Sequence, residues 1–218
     1  MTYAKEPCDN ICCCCQYEPH KGFKCAAPHL IKREMKIDTI AEHSVCLELL
    51  PEKANILDLG VRGFLFYDYM KSLGHNVWGV DIDDLKDGKP YYQVAISDYN
   101  GRAGIKRSND PQATQMTEGD TVLCQTLETF SKSCGIEVWD LVKMDVESSE
   151  KEIIMSLTKA PAIQLSVEWH LHLGVYDQNF MRLAEAKLRH LGYGFASHTL
   201  TEMHGAGWNY WSSLFILK

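Results

Sequence analysis

The sequence predicts an α/β fold: a doubly wound, mostly parallel seven-stranded sheet closed by an antiparallel C-terminal hairpin. Two features of the 218-residue chain carry that expectation. Short, almost wholly apolar runs alternate with helix-compatible segments, which is the pattern of a parallel sheet covered on both faces. The last two runs have only the loop TEMHGAGWN between them, which suits an antiparallel pair rather than a crossover.

The elements follow in order. Residues 36–50 place Ile37, Ile40, Ala41, Val45, Leu47 and Leu50 on one helical stripe, predicting a helix that Pro51 ends. ANILDLG reads as the first strand, and FLFYDYMKSLG as a helix stopped at Gly74. HNVWGVDID and YYQVAISD are the second and third strands. Asn100-Gly101 marks a turn into a short strand, NGRAGIKRS. NDPQATQMTEGD is polar and reads as a loop, and TVLCQTLETF begins as a strand and leads into a helix. This insertion between the third and fourth core strands is placed to overhang a site at their ends. WDLVKMDVE is the fourth strand, and the helix-compatible SSEKEIIMSLTKA follows it. AIQLSVEWH is the fifth strand, and QNFMRLAEAKLRHLG an amphipathic helix ending at Gly192. GYGFASHTL and YWSSLFILK form the closing hairpin.

Length allows one domain, residues 36–218, preceded by a cysteine-rich segment at 1–35. A net charge of -7 with no basic run argues against nucleic acid and anionic membrane surfaces as partners. No stretch of eighteen apolar residues exists, so no membrane span is expected. The start MTYAKEPCDN lacks the layout of a secretory signal, and a cytoplasmic location is expected. Nine cysteines, an odd number, argue against a disulfide framework. Cys46, Cys124 and Cys134 read as small buried hydrophobes. Cys8, Cys12 to Cys15, His20 and Cys25 crowd the first segment. Cys8, Cys12, Cys15 and Cys25 are candidate zinc ligands. A disordered tail and a palmitoylated anchor are the other readings.

The strand ends carry the candidate ligand residues. Asp58-Leu59-Gly60-Val61-Arg62-Gly63 closes the first strand, and glycine there lets the backbone bend sharply beside a ligand. The plain alternative is a tight strand–helix turn. Asp81, before Ile82, ends the second strand about twenty residues later, where an acid can accept from both hydroxyls of a ribose. Ser97-Asp98 ends the third strand and could meet an adenine edge, or Asp98 could simply organise the Asn100-Gly101 turn. Asp83 and Asp84 read as exposed capping or surface acids. These motifs suit NAD and S-adenosylmethionine alike. The incomplete Gly-x-Gly-x-x-Gly pattern, the lack of length for a second domain and the terminal hairpin favour S-adenosylmethionine. The hairpin is the usual closing element of class I methyltransferases, a point of fold analogy.

From about Asn55 to Lys218 the chain resembles the FkbM-type methyltransferases. The likeness rests chiefly on Trp139-Asp-Leu-Val-Lys143-Met-Asp145-Val-Glu147-Ser-Ser-Glu150. Gln125-Thr126-Leu127-Glu128, Val94 to Asp98 with Asn100-Gly101, and Glu168-Trp-His170 resemble further segments of that family in the same order. Ser148 stands where the family usually has glycine, and Arg62 where a small or Asn-like residue is commoner. The resemblance implies a class I fold, S-adenosylmethionine as cofactor and methyl transfer, with a sugar or other small hydroxylated molecule as acceptor.

Lys143, Asp145 and Glu147 alternate along a strand end and so share one face. Glu168 and His170 stand at the neighbouring strand end with the same spacing. Asp145 or His170 is expected to take the acceptor proton, and Glu147 to orient the substrate or hold a divalent ion. Lys143 belongs either to that catalytic set or to a structural pair with Asp145 or Glu147. A methyltransferase-like scaffold without turnover and a nicotinamide-dependent oxidoreductase are the rival readings.

Overall fold

A computed structural model describes residues 35–218 except 87, 108–113, 148, 171–177 and 204–207. Its elements begin with β1 (Asp38–Ile40), β2 (His43–Val45), β3 (Asn55–Leu59), α1 (Leu65–Ser72) and β4 (Asn76–Asp81). There follow β5 (Tyr92–Gln93), β6 (Ala95–Ser97), β7 (Gly101–Arg107), β8 (Thr114–Thr126) and α2 (Leu127–Ser133). The chain closes with β9 (Trp139–Met144), α3 (Glu150–Ser156), β10 (Ala162–Trp169), α4 (Gln178–His190), β11 (Tyr193–Met203) and β12 (Trp208–Leu217).

The main sheet has seven strands in the order β11-β12-β10-β9-β3-β4-β5. The pairs β10–β9, β9–β3, β3–β4 and β4–β5 are parallel. β12 runs antiparallel to both β10 and β11. From β3 the chain winds outward to β4 and β5, then returns to the other side of β3 with β9 and β10. The direction of winding therefore reverses between β3 and β9, where a doubly wound sheet opens a crevice beyond its carboxyl ends. Successive β3 side chains explain the burial on both faces. Leu57 and Leu59 join one apolar cluster with Trp139, Val142 and Leu165. Ile56, next to Leu57 and on the other face, joins another with Phe66, Tyr67 and Met70 of α1.

Three features depart from the sequence expectation. Residues 36–50 are not a helix. They form the β1–β2 hairpin and a single 3₁₀ turn, Leu47–Leu49. The two-residue hairpin loop, Ala41-Glu42, has φ of 45° and 73° at its two positions. Positive φ at both positions is the geometry that hairpin twist demands, but neither residue is a usual turn former. The hairpin docks through Cys46, whose N–H donates to Gln164 Oε1 and whose carbonyl accepts from Gln164 Nε2, both at 2.9 Å. The third predicted strand is split: β5 adds to the main sheet, whereas β6 pairs in parallel with β8 in a separate three-stranded sheet, β6-β8-β7. The segment TQMTEGD, read as loop, is the first half of β8 and pairs antiparallel with β7. Its polar side chains are mostly exposed, so it shows no apolar alternation.

Cys46 and Cys124 are buried free thiols and Cys134 is partly buried. Among the described residues no helix is long and apolar enough to cross a membrane. Cys8, Cys12, Cys15 and Cys25 lie outside the described residues.

Candidate active site

β3 runs into a bend that only glycine can make. Gly60 has φ +77°, and a Cβ there would lie 1.7 Å from the carbonyl oxygen of Asp145 on the neighbouring strand end. The bend is tied sideways: Gly60 N and Val61 N both donate to Val80 O, at 2.8 and 3.1 Å. It is also tied from below. Lys143 is buried, and its Nζ donates to Leu59 O at 3.3 Å and Gly60 O at 2.7 Å. The same ammonium stands 3.1 Å from Asp58 Oδ1 and 3.1 Å from Asp145 Oδ2. Burial works against the charge, yet the carboxylates of Asp145 and Asp58 outweigh it and hold Lys143 above its ordinary pKa.

A cavity of about 580 Å³ lies over this bend. One end is lined by Gly60, Gly63, Asp81 and Ile82, with Val94, Ala95 and Ile96 beyond. Asp81 is buried, which pushes its carboxyl above the usual range, and its Oδ1 accepts from Asp83 N at 2.9 Å. Thr114 and Met116 of β8 also line the cavity, so the insertion contributes to its wall.

The other end is built from acids and imidazoles. His170 is buried, and its Nδ1 lies 2.8 Å from Oε1 of the wholly buried Glu150. Its Nε2 faces Asp145 Oδ1 and Glu168 Oε1, each at 3.3 Å, and Glu147 Oε2 at 3.6 Å. Burial disfavours an imidazolium there, but Glu150, Asp145 and Glu168 overcome it and raise the His170 pKa well above the ordinary value. Burial likewise opposes the Asp145 charge, and Lys143 with the histidines overrides it, holding this carboxyl well below the usual range. Glu147 differs: burial, opposed by His170 and reinforced by Asp145, Glu150 and Glu168, pushes it up to about 7. Its backbone sits at φ +51°, a conformation a non-glycine residue adopts at some cost.

The structure thus gathers Asp58, Gly60, Gly63, Asp81, Ile82, Lys143, Asp145, Glu147 and His170 around one cavity. Asp58 is on its floor but almost wholly covered, with Lys143 against it. Ser97 and Asp98 do not join them. Asp98 is exposed and lines a second cavity of about 410 Å³ with Thr126 and Glu128. Ser97 is buried, its hydroxyl 3.3 Å from Asp98 Oδ1. The cause is the departure of β6 from the main sheet. The following turn is fastened to the β8–α2 junction, where Asn100 Oδ1 accepts from Thr126 N at 3.0 Å. Asp83, expected at the surface, is instead a buried hub. It accepts from Thr114 Oγ1 at 2.6 Å and pairs with Arg107 at 3.1 Å and with Arg62. Arg62 therefore ties the glycine bend to β8.

One cavity residue escapes the sequence reading altogether. His43, from β2, is buried with its Nε2 3.6 Å from Asp145 Oδ2 and 3.9 Å from Glu168 Oε2. Only the hairpin brings it there, and the hairpin has no turn signal.

No protein-family model matches the chain, and no curated protein sequence matches it. Among solved structures it is similar to a TehB-like SAM-dependent methyltransferase from Corynebacterium glutamicum, with 16% identity and a TM-score of 0.44 over 78% of this chain and 84% of that one. The fibrillarin pre-rRNA processing protein of Methanococcus jannaschii is 10% identical, with a TM-score of 0.47 over 84% of this chain and 83% of that one. The 1,6-didemethyltoxoflavin-N1-methyltransferase of Burkholderia thailandensis, solved with 1,6-didemethyltoxoflavin and S-adenosylhomocysteine, is 10% identical, with a TM-score of 0.43 over 77% of this chain and 72% of that one.

Proposed function

We propose that the chain is an S-adenosylmethionine-dependent methyltransferase acting on a hydroxyl of a small acceptor such as a sugar. The observation that supports this most is the two-ended cavity. A glycine bend and a strand-end acid lie at one end, and a carboxylate–histidine cluster lies at the other.

The residues present fit an adenosine cofactor. Gly60 makes the bend over which a ligand would pass, Gly63 beside it meets nothing within 4 Å where a Cβ would stand, and the Asp81 carboxylate faces the cavity to accept from two ribose hydroxyls. Ile82, Val94 and Ile96 offer apolar walls for a flat base. Bound there, S-adenosylmethionine would supply a methyl already activated by its sulfonium, so the protein's work is positioning and proton transfer. Lys143 locks the bend in place through two carbonyls. Asp145 is held ionised by Lys143, and His170 is held charged by Glu150, so neither is suited to accept a proton. Glu147, part-exposed on the same wall, differs from Asp145 in a pKa raised by burial to about 7, and we assign it the acceptor proton in place of Asp145 or His170. With the acceptor proton on Glu147, the acceptor oxygen would bond to the methyl as the methyl's bond to the sulfonium sulfur breaks, leaving S-adenosylhomocysteine.

Calorimetry with S-adenosylhomocysteine and NAD side by side, followed by transfer of labelled methyl to a panel of sugars, tests the proposal. Binding of the homocysteine compound alone, with label in a sugar, is expected. Binding of NAD alone would support the oxidoreductase reading, and binding without transfer to any acceptor would support a scaffold.

A further inference from the structure

We infer that His43, Asp145 and Glu168 form a binding site for one divalent transition-metal ion. Their ligand atoms, one from each residue, all lie within 4.8 Å of one another. They come from three separate elements: the β1–β2 hairpin, the end of β9 and the end of β10. The three residues line the same cavity as Gly60 and Asp81, and Asp145 adjoins the glycine bend through Lys143.

The imidazole carries the case. His43 is 3% exposed, and its Nδ1 has no hydrogen-bond partner among the described residues. Its Nε2 is aimed between two carboxylates, at 3.6 and 3.9 Å, both too long for a hydrogen bond. Leaving a buried polar side chain without such bonds costs about 1–3 kcal/mol, so its orientation calls for a partner. An ion between the carboxylates supplies one at Nε2, the nitrogen that faces them. Ligands about 2.1 Å from a metal stand roughly 3.0–3.4 Å from each other, so the two His43 distances of 3.6 and 3.9 Å need contract only by a few tenths of an ångström on binding. The Phe66 ring, edge-on at 5.8 Å, steadies the imidazole without competing for its nitrogens.

Charge points the same way. Five carboxylates (Asp58, Asp145, Glu147, Glu150 and Glu168) are paired, among the described residues, with the cationic or imidazole groups of Lys143, His43 and His170. With His43 neutral, as a metal ligand must be, and His170 protonated, three negative charges stay uncompensated within this group, and a divalent ion would offset two of them. The neighbourhood also resembles a metal's outer shell. Asp145 Oδ2, turned toward His43, is backed by Lys143, while its Oδ1 is held by His170. Outer partners of this kind orient a ligating carboxylate. One imidazole with two carboxylates suits manganese, iron or zinc better than magnesium, which prefers oxygen ligands alone.

The test uses the full chain, stripped with chelator and titrated with Mn²⁺, a probe that thiolates of the cysteine-rich N-terminal segment hold weakly. One Mn²⁺ per chain is expected, with modulation from an imidazole nitrogen in its electron-spin-echo spectrum. That spectrum needs no variant, so it stands even if a substitution unfolds the protein. His43→Gln and Glu168→Gln are each expected to weaken binding by about 100-fold or more. No Mn²⁺ binding by the parent, binding without nitrogen modulation, or binding indifferent to both substitutions would overturn the inference. S-adenosylhomocysteine binding measured on the same samples reports on the nucleoside end separately, so loss of one reading is distinguishable from loss of the other.

Discussion

Replacing Lys143 with methionine removes the cation that joins Asp58, Asp145 and two carbonyls while keeping an unbranched apolar stem one atom shorter. In the parent, four oxygens lie within 3.3 Å of Nζ, which is all but inaccessible to water. Breaking a buried ion pair by removing one partner typically costs about 3–5 kcal/mol, because the other charge is left uncompensated. Two carboxylates are left here, so about 4 kcal/mol is a moderate expectation. With a urea slope of about 2 kcal/mol per molar, the unfolding midpoint should fall by about 2 M. Fluorescence of the buried Trp139 and Trp169 reports the transition. The sign with pH follows from the raised Lys143 pKa: its stabilisation is fully present below the ordinary lysine value and is lost only as pH climbs through the higher folded one. The deficit should therefore be the same from about pH 6 to about pH 9. Adding Asp58→Asn to the methionine variant removes one of the stranded charges and should restore about 1–2 kcal/mol. A loss under about 1 kcal/mol, or no recovery in the double variant, would refute the claim that this ammonium holds the bend.

Gly60→Ala should cost more than about 3 kcal/mol in thermal unfolding, since φ is +77° and the new Cβ would meet Asp145 O at 1.7 Å; an unchanged melting temperature would contradict the bend geometry. Glu185, in α4, is 2% exposed, and burial, against Arg189 and Arg182, pushes its pKa from 4.5 to about 7. Its raised value means the fold favours the neutral acid, so this stability is full at acid pH and lost as pH rises through about 7. Glu185→Gln should match the parent near pH 5 and exceed it by about 2–3 kcal/mol at about pH 8.5, read by urea titration. Glu147→Gln should lower kcat by about 100-fold and leave S-adenosylhomocysteine affinity within about twofold; unchanged turnover would remove Glu147 as the base.

The parallel core was legible because burial on both faces writes strands as unbroken apolar runs, as in NILDL and WDLVKM. The glycine bend and Asp81 were legible because backbone geometry and strand-end chemistry are local. What could not be read depends on distant partners. The stripe Ile37, Ile40, Ala41, Val45 fits a helical period, yet Ile40 and Val45 pack beneath α1 as strand residues. Ala41 and Glu42 turn a hairpin without glycine or asparagine, held by docking on Gln164 and on Ser212, whose Oγ accepts from Ser44 N at 3.3 Å. His43 was lost with that hairpin. Asp98 was misplaced because nothing in YYQVAISD signals that the strand changes sheets midway. Asp83 gave no sign of burial, since its partners Arg62, Arg107 and Thr114 come from three segments, two of them in the insertion.

The role of Asp81 at the head of the cavity is tested most directly by calorimetry of S-adenosylhomocysteine on the parent and on Asp81→Asn. Two hydroxyl bonds to a buried carboxylate, each worth about 1.5 kcal/mol, predict that the parent binds and that the variant binds about 100-fold more weakly. Equal affinity in the two proteins, or no binding by the parent, would contradict the assignment of this cavity to an adenosine cofactor.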